Sequence, residues 1–152
     1  IGGMMPLQDR ISEDLKTAMK AKDTVRLSIL RMLRSQLKNE QVKWGRELKE
    51  DEILSNISSM IRKNKEAAGE FKAAGREDLW LKEEKEAEIL YEYLPKQLNR
   101  DEIEQVLSEI ISDLALSGGR DMGKIMKPAM EKMAGRAEGK TVSEIARKLL
   151  NA

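Results

Sequence analysis

The sequence contains no cysteine and no histidine, and these two absences exclude most of the familiar catalytic chemistry. Without cysteine there are no disulfides, thiol nucleophiles or cysteine-ligated zinc sites, and the composition fits a reducing, cytoplasmic location. Without histidine the chain lacks the side chain best suited to proton transfer near neutral pH, which excludes serine-hydrolase triads and Cys–His dyads. We therefore expect no catalytic residue, no cofactor and no metal site in this chain alone.

Strand-forming and aromatic residues are also scarce. The 152 residues include one phenylalanine, four valines and three threonines, whereas lysine, glutamate, leucine, methionine and alanine are abundant. The abundant residues are good helix formers. No apolar run approaches the roughly 20 residues that a membrane-spanning helix needs, so no membrane contact is expected. The composition predicts an all-α protein with a core of leucine, isoleucine and methionine.

Apolar residues recur at helical spacing in four segments before Pro95. The first helix is predicted at about residues 7–22, and the fourth at about 77–93. Asp23 is the expected N-cap of the second helix, and Gly45 and Gly75 are expected to end the second and third. Pro95 then forces the preceding residue out of helical geometry. We therefore predict an N-terminal helical domain over residues 5–95 and a tail-like domain over residues 96–152.

Three helices are predicted in the C-terminal domain. Asn99 and Glu102 have the spacing of a capping box at the start of the fifth helix, which residues 117–119 should break. Pro128 lies within the sixth helix and removes a hydrogen bond to the Lys124 carbonyl, so a kink or an early end is expected. Gly135 is expected to end this helix before the seventh begins.

Glycines and basic residues alternate around the turns of the C-terminal domain. Residues 118–152 contain eight lysines and arginines against four acidic residues. Basic side chains beside a helix N-terminus can bind phosphate, and glycine permits close approach of the backbone. The predicted nucleic-acid-binding residues are Lys124, Lys127, Arg136, Lys140, Gly123, Gly135 and Gly139. The alternative is that the cations are simply solvated and the glycines serve tight turns.

Two further sets of residues favour structural roles. The second helix carries a basic series, and the fourth helix carries an acidic one. The basic series can simply be the solvated side of an amphipathic helix, and intramolecular pairing accounts for both sets better than a ligand does. The basic series is Arg26, Arg31, Arg34 and Lys38. The few aromatic residues could stack on bases, but partial burial at helix ends is the better interpretation. These residues are Trp44, Trp80, Tyr91 and Tyr93.

Several short segments together resemble the small bacterial YqeY proteins. The segments are RLSILRML (26–33), GREL (45–48), AGREDL (74–79), EYLP (92–95), DMGK (121–124) and GRAEGK (135–140). The resemblance implies a four-helix N-terminal domain and a three-helix C-terminal domain. The C-terminal part is similar to the tail domain found in one subunit of the aspartyl/glutamyl-tRNA amidotransferase. That tail helps the enzyme to engage tRNA, while the chemistry occurs elsewhere.

The resemblance therefore implies a small non-catalytic protein that binds tRNA or a translation-linked partner. The expected partners are tRNA itself and a tRNA amidotransferase or synthetase. Two alternatives stay open at this point. One is an accessory component of glutamine-dependent carbon–nitrogen ligase activity, and the other is a protein–protein adaptor.

Overall fold

The computed structural model describes residues 5–151, and within that range it contains seven α-helices, one 3₁₀ turn and no strand. The predicted all-α class is confirmed. The helices are α1 (Leu7–Ala21), α2 (Thr24–Trp44), α3 (Glu50–Ala73), α4 (Glu77–Tyr91), α5 (Arg100–Leu114), α6 (Met122–Met133) and α7 (Gly139–Leu150). They form two compact units that divide between Leu94 and Pro95. None of the described helices is both long and apolar enough to cross a membrane.

The ends of α2 form where the sequence predicts them. The Asp23 carboxylate accepts a hydrogen bond from the Arg26 N–H at 3.2 Å, which satisfies one of the free donors of the first turn. At the other end Gly45 adopts a left-handed conformation with φ of 68°, and its N–H donates to the Gln41 carbonyl at 2.8 Å. Lys22 also takes a left-handed conformation, with φ of 57°, at the C-terminus of α1. A left-handed lysine was not predictable, because this conformation ordinarily selects glycine.

Apolar side chains from all four helices form the core of the first unit. The buried set includes Leu7, Ile11, Leu15, Ile29, Leu30, Leu33, Leu37, Ile53, Ile57, Met60, Ile61, Ala87, Ile89 and Leu90. α1 packs on α2, and α3 packs along α4. The N-terminus of α3 is fixed by Glu52, which accepts the Lys49 N–H at 2.8 Å and two guanidinium contacts from Arg46, each at 2.8 Å. The Arg46 guanidinium is the main cause that lowers the pKa of Glu52 to about 2.

Polar contacts attach the C-terminal end of α4 to the first two helices. The Tyr93 hydroxyl donates to the Asp14 carboxylate at 2.5 Å, and the Tyr93 side chain is buried. The Arg26 guanidinium donates to both carboxylate oxygens of Glu92, at 2.9 and 3.0 Å. α4 ends at Tyr91 rather than near Tyr93. The N–H groups of the next three residues donate to carbonyls only three positions back along the chain, and Pro95 then prevents the helix from continuing.

The second unit has a separate core formed by α5, α6 and α7. Its buried residues are Ile103, Leu107, Ile110, Ile125, Ala129, Met133, Ala137, Val142, Ile145, Ala146 and Leu150. The predicted capping box is present, since Asn99 accepts the Glu102 N–H at 2.9 Å and Glu102 accepts the Asn99 N–H at 3.0 Å. α5 ends before the predicted glycines, because Ala115 already turns the chain with φ of 53°.

Pro128 does not end α6. The helix continues for five residues beyond it, to Met133, whose side chain is fully buried. Packing of Ile125, Ala129 and Met133 in the core therefore outweighs the hydrogen bond that Pro128 cannot donate to the Lys124 carbonyl. The early end that the sequence allowed for this helix is wrong.

Candidate nucleic-acid interface

Hydrogen bonds within the second unit fix the conformation of the turn between α6 and α7. Gly135 adopts φ of 71°, a left-handed conformation that favours glycine, and the next N–H, of Arg136, donates to the Met133 carbonyl at 2.8 Å. The Gln97 side-chain amide donates to the Gly135 carbonyl at 2.6 Å, and the Leu98 N–H donates to the Arg136 carbonyl at 2.8 Å. Because these carbonyls are already occupied, the turn has a defined shape and does not present them to a ligand.

Two cations and a helix N-terminus remain free at this turn. Arg136 and Lys140 are exposed, and neither forms an ion pair with any residue between 5 and 151. α7 begins at Gly139, and the side chain of its N-cap residue, Glu138, makes no hydrogen bond to the first turn. The first-turn N–H groups are therefore available, with the positive end of the helix dipole behind them. We call Gly135, Arg136, Gly139 and Lys140 the turn cluster.

The start of α6 is arranged differently. The largely buried Asp121 carboxylate accepts the Ser117 N–H at 2.7 Å, and this bond is the main cause that lowers the pKa of Asp121. Lys124 lies 3.5 Å from the same carboxylate, so its charge is already partly compensated. A Cβ added at Gly123 would meet nothing within 4 Å, so packing does not require glycine there. The sequence did not predict this ion pair.

The predicted site residues do not converge on one place. Lys124 precedes Met133 by nine residues of α6, which places it about 14 Å along the helix axis from the end that carries the turn cluster. Lys127 is exposed between the two ends. The structure therefore groups Arg136 with Lys140 but separates both of them from Lys124.

Additional cations lie at the end of the unit where α6 begins. The Gly118 N–H donates to the Leu150 carbonyl at 3.2 Å, which brings the end of α7 to the 3₁₀ turn Gly119–Asp121. Arg120 in that turn, and Arg147 and Lys148 in the last turn of α7, are all exposed. Sequence reasoning did not assign them to a site. Their proximity depends on a contact between segments about 30 residues apart, which spacing along the chain does not reveal.

The basic series on α2 is only partly neutralised inside the molecule. Arg26 pairs with Glu92 at 2.9 Å, as intramolecular pairing predicts. Arg31, Arg34 and Lys38 have no acidic partner among the described residues, so the same explanation is wrong for them. The reason is geometric, because these three side chains lie on the exposed side of α2.

Two of the four aromatic residues are not partly buried as expected, because one is more exposed and one is more deeply buried. Trp44 is 57% exposed at the end of α2, with the Arg46 guanidinium 5.5 Å from its ring centroid. Tyr93 is only 4% exposed, because its ring belongs to the core of the first unit. Trp80 and Tyr91 are half-buried, as expected.

Similar proteins are found among fungi, under the name "altered inheritance of mitochondria protein 41, mitochondrial". The protein of Lachancea thermotolerans is 34% identical over 110 residues, which is 70% of this chain and 59% of that protein. The protein of Pyrenophora tritici-repentis is 29% identical over 131 residues, covering 84% of this chain and 71% of that protein. A Saccharomyces cerevisiae protein is 32% identical over 110 residues, again 59% of its length. The chain thus spans about three fifths of the first and third of these relatives.

These findings correct one prediction and confirm another. The prediction of a cytoplasmic location is wrong, because the relatives are named as mitochondrial proteins. Absence of cysteine reports on redox chemistry and cannot separate one reducing compartment from another. The predicted likeness to YqeY proteins is confirmed. The family model described as "Yqey-like protein" matches residues 8–150, and the chain therefore belongs to that family.

Proposed function

We propose that the protein binds RNA, and tRNA in particular, through the exposed cations of its second unit. The observation that carries the proposal is the turn cluster, in which Arg136 and Lys140 flank the free N-terminus of α7 on a turn whose own carbonyls are occupied. The resemblance of this unit to the tail domain of a tRNA amidotransferase supports tRNA as the ligand. In this proposal the protein binds RNA and catalyses no reaction.

The proposed mechanism is recognition of the RNA backbone. Arg136 and Lys140 neutralise phosphates, while the first-turn N–H groups of α7 donate hydrogen bonds to phosphate oxygens. Lys124 and Lys127 lie too far along α6 to share a phosphate with the turn cluster, so they contact other phosphates of the same RNA. Contacts of this kind select the shape of an RNA and carry little information about its base sequence.

The glycines differ in what they contribute to this mechanism. Gly135 is required by its left-handed backbone. At Gly139 an added Cβ would lie 3.9 Å from the Met130 Cε, which is ordinary contact, so a small side chain fits there. We expect Gly139→Ala to fold normally and to bind RNA, whereas a larger residue would obstruct access to the α7 N-terminus.

The proposal is tested by fluorescence anisotropy with labelled total tRNA and the full chain. Loss of two phosphate contacts in Arg136→Gln/Lys140→Gln should weaken binding by about tenfold at moderate salt. Arg62→Gln/Lys63→Gln removes the same charge from exposed positions on α3 and is the matched control. It should change the dissociation constant by less than about twofold. Equal losses in both variants would indicate a nonspecific effect of net charge and would contradict the proposal.

A protein-adaptor role is the second candidate, because the first unit has a groove suited to an apolar side chain. A cleft of about 420 Å³ lies between α3 and α4. Its lining residues are Lys65, Ala68, Gly69, Lys72, Glu84, Ala87, Glu88 and Tyr91. A Cβ at Gly69 would meet nothing within 4 Å, so Gly69→Gln fills the cleft without disturbing the core. The adaptor role predicts that this variant loses co-purification with a tRNA amidotransferase or synthetase while RNA binding is retained.

A further inference from the structure

The arginines of the first unit divide into two classes. Five of the seven form ion pairs with acidic side chains: Arg10, Arg26, Arg46, Arg62 and Arg76. The two without an acidic partner in residues 5–151 are Arg31 and Arg34, which lie one turn apart on α2. Lys38, one further turn along, is likewise exposed and without a partner in that range. An unpaired basic series within a unit that otherwise pairs its arginines is available to a ligand outside the unit.

A cleft beside α2 places two of these cations among neutral hydrogen-bonding groups. It has a volume of about 210 Å³ and lies between α1 and α2. Arg34 and Lys38 line it together with the side chains of Gln8, Ser12 and Gln41, and Ile11 and Leu37 form its apolar floor. None of the described acidic residues lines this cleft. Cations, amides and a hydroxyl are the groups with which proteins bind phosphate oxygens.

The face of α2 next to the cleft has the same character. From Thr24 to Asn39 the helix contains no acidic residue. Ser35, Gln36 and Asn39 lie beside Arg31 on a shallow surface depression that also includes the exposed Met32. Glu40, the acidic residue of α2, lies beyond this stretch, and one of its carboxylate oxygens accepts a hydrogen bond of 3.2 Å from the Trp44 indole N–H. An approaching anion therefore meets cations and neutral groups along three turns of α2.

The length of the series favours an anion that carries more than one phosphate. Arg31 and Lys38 are seven residues apart, which is about 10 Å along the helix axis. One free phosphate group cannot contact both ends of such a series, whereas successive phosphates of a nucleic-acid strand can. We propose that α2 and the α1–α2 cleft form a second RNA-binding surface, where Arg31, Arg34 and Lys38 neutralise backbone phosphates. The choice of RNA as the ligand rests on the proposed function, but the surface itself belongs to a different unit.

The test compares three proteins, wild type and two variants, for binding of labelled total tRNA across a series of salt concentrations. Arg31→Gln/Arg34→Gln/Lys38→Gln removes the proposed contacts, and glutamine preserves helix propensity at these exposed positions. Arg62→Gln/Lys63→Gln/Lys82→Gln removes the same charge from exposed positions on α3 and α4. Circular dichroism establishes that all three proteins are folded. We expect the α2 variant to bind about tenfold or more weakly, with a salt slope shallower by about 2, and the control to bind like wild type.

Arg136→Gln/Lys140→Gln, measured in the same way, separates this inference from the proposal for the turn cluster. Weaker binding in the α2 variant but not in Arg136→Gln/Lys140→Gln supports the α2 surface and contradicts the turn cluster. The reverse result contradicts the α2 surface alone, and no binding of tRNA to wild type contradicts both. In the last arm, wild type is titrated with inorganic phosphate, and the side-chain NMR signals of Arg34 and Gln41 are followed. Saturation by phosphate together with unchanged RNA affinity in the α2 variant would assign the cleft to a small anion and overturn the inference.

Discussion

At the scale of single residues, the hydroxyl of Tyr93 connects the end of α4 to α1. Burial is the main cause that raises the pKa of this hydroxyl, which therefore remains a donor to Asp14 throughout the physiological range. Tyr93→Phe removes the donor and leaves the Asp14 carboxylate to partial hydration. We expect a loss of about 1–2 kcal/mol in the free energy of unfolding. Urea unfolding followed by tryptophan fluorescence measures it, because Trp44 and Trp80 both lie in the first unit.

Tyr91→Phe is the matched control for this prediction. Its hydroxyl accepts a hydrogen bond from Lys65 at 2.6 Å, but this contact is exposed and lysine can be solvated instead. We expect a change below about 0.5 kcal/mol. Equal losses in the two variants would show that the Asp14 contact has no special role in holding α4.

Glu86 is a second residue whose burial has a measurable consequence. Glu86 is 4% exposed, and its carboxyl accepts a long hydrogen bond of 3.3 Å from the Asn64 amide. Desolvation is the main cause that raises the pKa of Glu86 above its ordinary value. The folded state therefore holds this proton more tightly than the unfolded state, and the associated stability is lost as pH rises through the folded-state pKa.

Glu86→Gln should remove that loss, because the amide stays neutral. We expect the variant to be more stable than wild type at neutral pH, with the difference disappearing below about pH 4, where the glutamate is protonated in both states. The measurement is the urea midpoint at a series of pH values. Glu88→Gln, at an exposed position on the same helix, is the control. A variant less stable than wild type at neutral pH would show that the charged form is favoured in the fold.

At the scale of whole elements, α6 is the helix in which local and tertiary preferences conflict most. Pro128 cannot donate to the Lys124 carbonyl, yet α6 continues because three of its side chains are fully buried. Pro128→Ala restores the missing donor at the cost of some contact made by the half-buried ring. We expect the second unit to gain about 1 kcal/mol or more. Hydrogen exchange of the α6 and α7 amides measures this, because the second unit has no tryptophan.

Lys127→Ala is the control for α6, since it changes an exposed neighbour to the same residue without adding a donor. It should alter protection of these amides by less than about 0.5 kcal/mol. Decreased protection in Pro128→Ala would mean that the proline ring contributes more by packing than its missing hydrogen bond costs.

The helices themselves were largely predictable from the sequence. Apolar periodicity and capping residues such as Asp23 and Asn99 act within a few residues along the chain, so their effect can be read locally. The left-handed Lys22 and Ala115 were not predictable, because their side chains carry no conformational signal of that kind. The sequence also did not predict that α6 continues beyond Pro128, because this depends on packing against other helices.

At the scale of the whole molecule, the net charge of +1 conceals a segregation of charge. The sequence predicted the basic C-terminal region, but it could not show which cations are already compensated. Lys124 lies beside Asp121, whereas Arg136 has no acidic partner in the described chain. Likewise Arg26 is paired and Arg34 is not, within the same range of residues. The pair of Lys124 is local, within one turn of chain, whereas the pair of Arg26 depends on contact between α2 and the end of α4. Together these contacts identify the cations whose charge is already compensated.

The most direct test of the account is the salt dependence of tRNA binding to the wild-type chain. Four or more phosphate contacts predict that the logarithm of the association constant falls with the logarithm of salt concentration with a slope of about −3 or steeper between roughly 50 and 200 mM. That result would establish backbone recognition as the basis of binding. Undetectable binding at the lowest salt concentration, or binding with a slope near zero, would contradict the account.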